Sequence, residues 1–238
     1  MRPLAFCLTL ALLSPALSTG QADALRERRL ARSATAAAAQ SPLRFQDALR
    51  AAGIPVGLHV RAERWADLGP DAWRTAPADG PNASDGPTLR EATDLFVSHH
   101  PGWTTEITTR GVVLRGPGLT SRDDHVDDFS LTDLDVPAAF AAAERAIDPT
   151  LPVRGGVVAS IIGTPGEPSP TVPAGRVTVH LTHATLEDIL NAIAAESPGT
   201  GWVLVRHEDA DGTYDTLSVR YIEGLQSNSS NPLPVRRP

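Results

Sequence analysis

The chain has 238 residues, with 28 acidic against 21 basic side chains, a formal net charge of −7 and 41% apolar residues. That balance, without a basic stripe interleaved with aromatics, argues against a nucleic-acid partner; every basic residue is arginine, in an Ala-, Pro- and Gly-rich composition that reads as GC-rich coding. The single cysteine, Cys7, lies in the apolar start of the chain, so the mature protein has no thiol, disulfide or Cys-ligated metal.

Residues 1–20 combine a basic start at Arg2, an apolar core from Leu4 to Leu13 and small residues around Ser18 and Gly20, the layout of a cleaved signal peptide. The run is too short to span a bilayer and no later stretch is long enough, which predicts a soluble exported product, cut after Gly20 or Ala22, without a transmembrane segment. An exported chain without disulfides points to the bacterial envelope, periplasmic or secreted. Residues 21–40, where Arg26, Arg28, Arg29 and Arg32 precede an alanine run, read as a flexible leader; contact with anionic lipid headgroups is the alternative.

From Ser41 the pattern becomes that of a folded module, residues 41–116. Ser41-Pro42 is a helix start, Phe45, Ala48, Leu49 and Ala52 recur at helical spacing, and Gly53 is a stop. The apolar run IPVGLHV from Ile54 reads as a strand, and a Pro- and Gly-rich loop follows to Pro87, with one helical turn near Trp65. Thr88-Leu89-Arg90-Glu91 has capping-box spacing and opens a helix with Leu89, Ala92, Leu95 and Phe96 on one face; a hairpin from Trp103 to Arg115 follows.

Residues 117–127 form an acidic linker to a second module, residues 128–223. Here Phe129 to Thr132 reads as a strand and Asp135 as the cap of a helix carrying Phe140, Ala143 and Ile147. Val153 to Ile162 and Arg176 to Leu181 read as strands; Thr185 caps a second helix with Leu186, Ile189, Leu190 and Ile193 inward, and Trp202 to Arg206 with Leu217 to Tyr221 makes the closing hairpin. Residues 224–238, rich in Ser, Asn and Pro, read as a disordered tail. TLREATDLFVSHHPGWTTEITTRGVVL from Thr88 and TLEDILNAIAAESPGTGWVLV from Thr185 are copies of one helix-and-hairpin pattern, which signals two related modules.

The apolar strand, the Thr-Leu-acidic start, the helix, the Gly-containing break and the hairpin together resemble the secretin and TonB short N-terminal domain family, in two divergent tandem copies. The resemblance covers residues 128–223 in the order βαββαββ and residues 41–115 less fully. It implies an α+β fold of two small modules, each with two helices packed with short two- and three-stranded sheets. It also implies a role in docking to other envelope proteins of secretion or TonB systems, with neither pore nor barrel in this chain.

Few residues point to chemistry. Asp123, Asp124, His125, Asp127 and Asp128 form the one acidic run with an imidazole, the basis of an alternative reading as a metal- or small-ligand-binding periplasmic protein; the spacing lacks the glycine and terminal glutamate of a calcium hand, and a solvated linker accounts for it as well. His180 and His183 fall on opposite faces of a strand, and His99-His100 ends a helix whose dipole favours a cation. Glu144 and Glu187 fall on helix faces that read as solvated, no nucleophile elbow or phosphate loop is present, and no cofactor is implied. The expected function is therefore non-catalytic protein binding. Trp65 and Trp73, in a loop with little core to receive them, are the leading contact residues; Trp103 and Trp202 read first as core rings, with an exposed edge for a partner as the alternative.

Overall fold

The computed structural model describes residues 16–68, 85–120, 125–147, 158–159, 175–210 and 212–221. Two helices come first, α1 (Ala16–Arg26) and α2 (Ser33–Gln40), followed by α3 (Pro42–Ala51), β1 (Val56–Arg61), a 3-10 segment (Ala62–Leu68), α4 (Leu89–His99), β2 (Thr104–Ile107) and β3 (Val112–Arg115). The rest is β4 (His125–Asp135), α5 (Val136–Ile147), β5 (Val158–Ala159), β6 (Arg176–Thr185), α6 (Leu186–Glu196), β7 (Thr200–Asp209) and β8 (Gly212–Tyr221). The class is α+β, and the second half runs βαββαββ.

The helix starts follow from side-chain chemistry. Ser41 Oγ accepts from the Arg44 N–H, and Pro42, which lacks an N–H, costs nothing in the first turn. Thr88 and Glu91 satisfy each other's amides at the start of α4, as Thr185 and Asp188 do at the start of α6. Asp135 accepts from the Ala138 N–H at 2.8 Å and starts α5.

Six strands form one sheet in the order β2-β3-β1-β7-β8-β5. The β2–β3 and β7–β8 hairpins are antiparallel, whereas β1 runs parallel to β3 and β5 parallel to β8. Each half thus contributes the same three-strand unit, β2-β3-β1 and β7-β8-β5. The units join where β1 runs parallel to β7, with Val56 opposite Gly201 and Arg61 opposite Arg206. Strands β4 and β6 make a separate antiparallel pair, kinked between Leu131 and Leu134, where Asp133 takes a φ of 54°.

The two faces of the large sheet are covered by different helices. On one, Leu58, Val60, Leu114 and Val203 meet Leu43, Phe45, Leu49, Leu89 and Phe96 from α3 and α4. On the other, Val113, Trp202, Leu204 and Val219 meet Phe140, Ile189, Leu190 and Ile193 from α5 and α6, which also cover β4 and β6. Strand β1 carries apolar side chains toward the first core while its neighbour β7 supplies both.

Several expectations are corrected. Residues 21–40 are not a flexible leader: α2 packs against α3 and α4 with Leu30, Ala34 and Ala38 buried, and Leu30 N–H donates to Pro87 O at 2.9 Å. Alanine is the strongest helix former, and its small side chain lets helix axes approach closely, so the alanine run serves as structure. The acidic linker of residues 117–127 enters β4 at His125, ahead of the expected start at Phe129. Nor do the two modules have separate sheets, because the β1–β7 pairing fuses them. Of the expected strand from Val153 to Ile162, Val158–Ala159 is described. Most of the signal segment and loop, residues 121–124 and the tail from Gly224 lie outside the described residues.

Candidate functional site

The β1–β7 seam is built around one close approach and two groups of charges. Trp202 on β7 lies flat over Gly57 on β1, where an added Cβ would sit 1.9 Å from the indole. The Trp202 Nε1–H donates to Asn191 Oδ1 on α6 at 3.0 Å, so the ring is fully buried with its polar edge paired.

The first charged group lies across the α6 side of the seam. His59, on β1, has no solvent exposure; its Nδ1 is 3.5 Å from Glu187 Oε1 and its Nε2 is 3.8 Å from Asp215 Oδ1. Neither contact has hydrogen-bond geometry, so the attraction is between charges. Arg115 on β3 forks onto Glu187 through Nε at 3.2 Å and Nη2, and reaches Glu106 on β2 at 2.8 Å. Arg206 on β7 holds Asp215 on β8 with contacts of 3.0 and 3.1 Å. Burial pushes the His59 pKa down, but the nearby carboxylates of Asp215 and Glu187 outweigh it, and the net shift is upward from 6.5. Burial likewise raises Glu187 and Asp215, and the cations facing them more than reverse it, holding both below the usual carboxylate range. Arg115, Arg206 and the His59 ring thus face Glu187, Asp215 and Glu106.

The second group lies on the α3 side. Arg50 is buried and donates through Nε and Nη2 to Gly199 O, at 3.0 and 2.6 Å, and through Nη1 to Asp47 at 2.8 Å. Arg220 on β8 meets the other oxygen of Asp47 and Gln46 Oε1, each at 3.2 Å, while Gln46 Nε2 donates to Trp202 O at 2.8 Å. Burial lowers the Arg50 pKa from 12.5 to about 9, opposed by Asp47, so the guanidinium remains a cation at neutral pH. Both groups link elements of the first half to elements of the second.

Apart from Glu106 at the surface, these ionisable side chains lie within the protein and pair with one another. An exposed Ser, His and Asp constellation on the β4–β6 pair has Ser130 Oγ 2.7 Å from His180 Nδ1 and Asp128 Oδ1 3.6 Å from the same nitrogen. A relay needs the acid and the hydroxyl on opposite ring nitrogens, so this arrangement cannot pass a proton from Ser130 toward Asp128 through the imidazole.

Among the described residues, two of the surface grooves flank the sheet. The larger, about 550 Å3, runs beside β6 between α1, α6 and the β2–β3 turn, and is lined by Leu25, Pro55, Arg110, His180, Leu181 and Ala195 among others. Among the described residues β6 pairs on one side only, with β4. The smaller, about 310 Å3, lies between α4 and β2 with Arg26 at its rim.

The sequence-predicted site residues are dispersed. Trp103, 4% exposed, meets Phe96 edge-on at 5.6 Å, and Trp202 fills the seam; both are core rings, and neither offers a surface to a partner. Trp65 is half-buried against the first core, and Trp73 lies outside the described residues. Of the acidic run, Asp123 and Asp124 are outside the described residues; His125 stacks on His183 with centroids 4.3 Å apart, Asp127 lies 4.0 Å from His183, and Asp128 faces His180 instead. Among the described residues no three His, Cys, Asp or Glu side chains converge as a metal site. Glu187 is 3% exposed, which overturns its reading as a solvated helix residue. The available signal was His59 itself, the only ionisable residue within the apolar run IPVGLHV.

No family model, curated protein or solved structure matches the chain.

Proposed function

We propose that this chain is a non-catalytic protein-binding module of the bacterial envelope, and that it takes up an extended segment of another envelope protein along the edge of β6 that is unpaired among the described residues. The observation that carries this reading is the groove of about 550 Å3 beside that edge. Its walls, from Leu25, Pro55 and Leu181, are apolar, while Arg110, His180 and Glu196 supply polar contacts. Main-chain pairing along a sheet edge gives affinity with modest demands on the partner's sequence, and apolar pockets beside it add selectivity. The inward locking of the buried charges supports binding over catalysis, and the resemblance to secretin and TonB short N-terminal domains supports an envelope partner.

The experiment is crosslinking in the native envelope, affinity capture of the mature protein and mass spectrometry, run in parallel with Ala195→Trp. Ala195 is exposed at the groove, so an indole there blocks the β6 edge without entering the core. Recovery of secretion-platform, pilus or TonB-system components from the wild type and their loss from the variant is the expected result. Identical partners from both would show that the groove is not the binding site.

A further inference from the structure

The groove of about 550 Å3 beside β6 carries opposite charges at its two ends. Helix α6 folds back along β6 from the corner at Thr185, so its first turn lies toward Leu181 and its last toward Thr178. On α6, Asp188, Ala192 and Ala195 with Glu196 share one stripe, because residues three and four apart on a helix face the same way. Ala192 and Ala195 keep the middle of that stripe low, where Leu25 and Pro55 supply apolar walls. His180, also at the groove, is engaged by Ser130 through Nδ1 at 2.7 Å.

Arg110, on the turn between β2 and β3, stands at the Asp188 end, with Nη1 3.7 Å from Asp188 Oδ1. That separation is longer than a hydrogen bond, and Asp188 gives its other oxygen to the helix cap, at 3.2 Å from Thr185 N and 3.0 Å from Thr185 Oγ1. Among the described residues neither the Arg110 guanidinium nor the Glu196 carboxylate takes part in a side-chain hydrogen bond, so both ends have polar groups open to a ligand. The backbone beneath Arg110 is fixed: Thr108 N–H donates to Gly111 O at 2.9 Å and Arg110 N–H to Thr108 Oγ1 at 3.1 Å. Gly111, at a φ of 150°, lies so close to Pro55 that an added Cβ would stand 2.4 Å from its carbonyl oxygen. A cation on a fixed turn loses less freedom when it is engaged. Glu196 is exposed at the last residue of α6, and the rise of the helix sets it about 12 Å along the axis from Asp188.

An extended chain advances about 3.3 Å per residue and shows alternate side chains to one face, so residues four apart span that distance with a third residue midway. We infer that the segment taken up by this groove carries an acidic and a basic residue four apart with an apolar residue between them, the acid against Arg110 and the base against Glu196. Laid antiparallel to β6, such a segment reads acid first. This rests on the groove being the binding site and specifies the class of sequence that it accepts. Exposed ion pairs add little affinity, but a segment with the charges reversed meets a like charge at each end and is rejected.

The test is selection of phage-displayed random peptides on the full mature chain, with counter-selection on Ala195→Trp. Peptides held by the wild type and lost on Ala195→Trp are expected to carry an acid and a base four apart around an apolar residue. Glu196→Arg places a cation at an exposed helix C-terminus, where the helix dipole favours it, so the fold is kept. Its own selection should replace the base by an acid. For one synthetic peptide from the wild-type selection, Glu196→Arg and Arg110→Gln should each weaken binding about two- to fivefold at low salt, a difference that high salt removes. Groove-dependent peptides without the paired charges, or an unchanged motif on Glu196→Arg, would overturn the inference and leave the groove as the binding site. The absence of any peptide sensitive to Ala195→Trp would overturn both.

Discussion

His59 and Glu187 come from opposite halves of the chain and lie 3.5 Å apart with neither side chain open to solvent. An imidazolium between two carboxylates makes the joint of the halves sensitive to pH. His59 has a raised folded pKa, so its contribution is fully present below the unfolded value of 6.5 and is lost as pH rises through the folded value. Glu187 and Asp215 have lowered folded pKa values, so their contributions are present above 4.5 and 3.8 and fall away as pH drops through the folded values. Urea midpoints measured from about pH 4 to pH 9 should therefore decline on the alkaline side, and His59→Gln should flatten that decline while keeping the acid limb.

Removing Glu187 takes away the carboxylate that His59 and Arg115 share. Glu187→Ala leaves Arg115 with Glu106 and His59 with Asp215, and a loss of up to about 3–5 kcal/mol is expected, measured by urea unfolding. Glu187→Gln should cost less, because the amide oxygen still accepts from Arg115. Equal losses in the two variants would count against a charge-based role.

Gly57→Ala tests the contact with Trp202. The added methyl would lie within the indole's volume, so either the ring or β1 must shift, at a cost of about 1–3 kcal/mol or more. A change in tryptophan fluorescence in the folded protein would report the shift. An unchanged spectrum and midpoint would show that the ring does not lie over Gly57.

The repeated caps should behave alike. Thr88→Ala and Thr185→Ala each remove a capping hydroxyl and should each cost about 1 kcal/mol, read from thermal or urea unfolding. Because each cap bonds only to the start of its own helix, the double variant should lose close to the sum.

The parts of the fold legible in the sequence were those set by neighbours along the chain. Ser41, Thr88, Asp135 and Thr185 start helices because a side-chain oxygen reaches an amide three residues on. The faces of α4 and α6, the hairpins and the order of the second half follow from apolar periodicity. The alanine run was misjudged because its weak periodicity hides a helix whose burial depends on α3 and α4. Little of the candidate site was legible: Trp103 and Trp202 form core, while His59, Glu187 and Asp215 come together from a strand, a helix and a hairpin.

The sequence by itself determined the α+β class, the repeat, the helix caps and the apolar faces, all through interactions spanning a few residues. Only the tertiary structure decided that β1 pairs with β7, that Trp202 rests on Gly57, and that Glu187 is buried while Arg90 at the equivalent position is not. The physical reason is that both positions read as polar on their own helices. Whether a polar side chain meets water or an opposite charge depends on a strand supplied from elsewhere in the chain, which local periodicity does not encode.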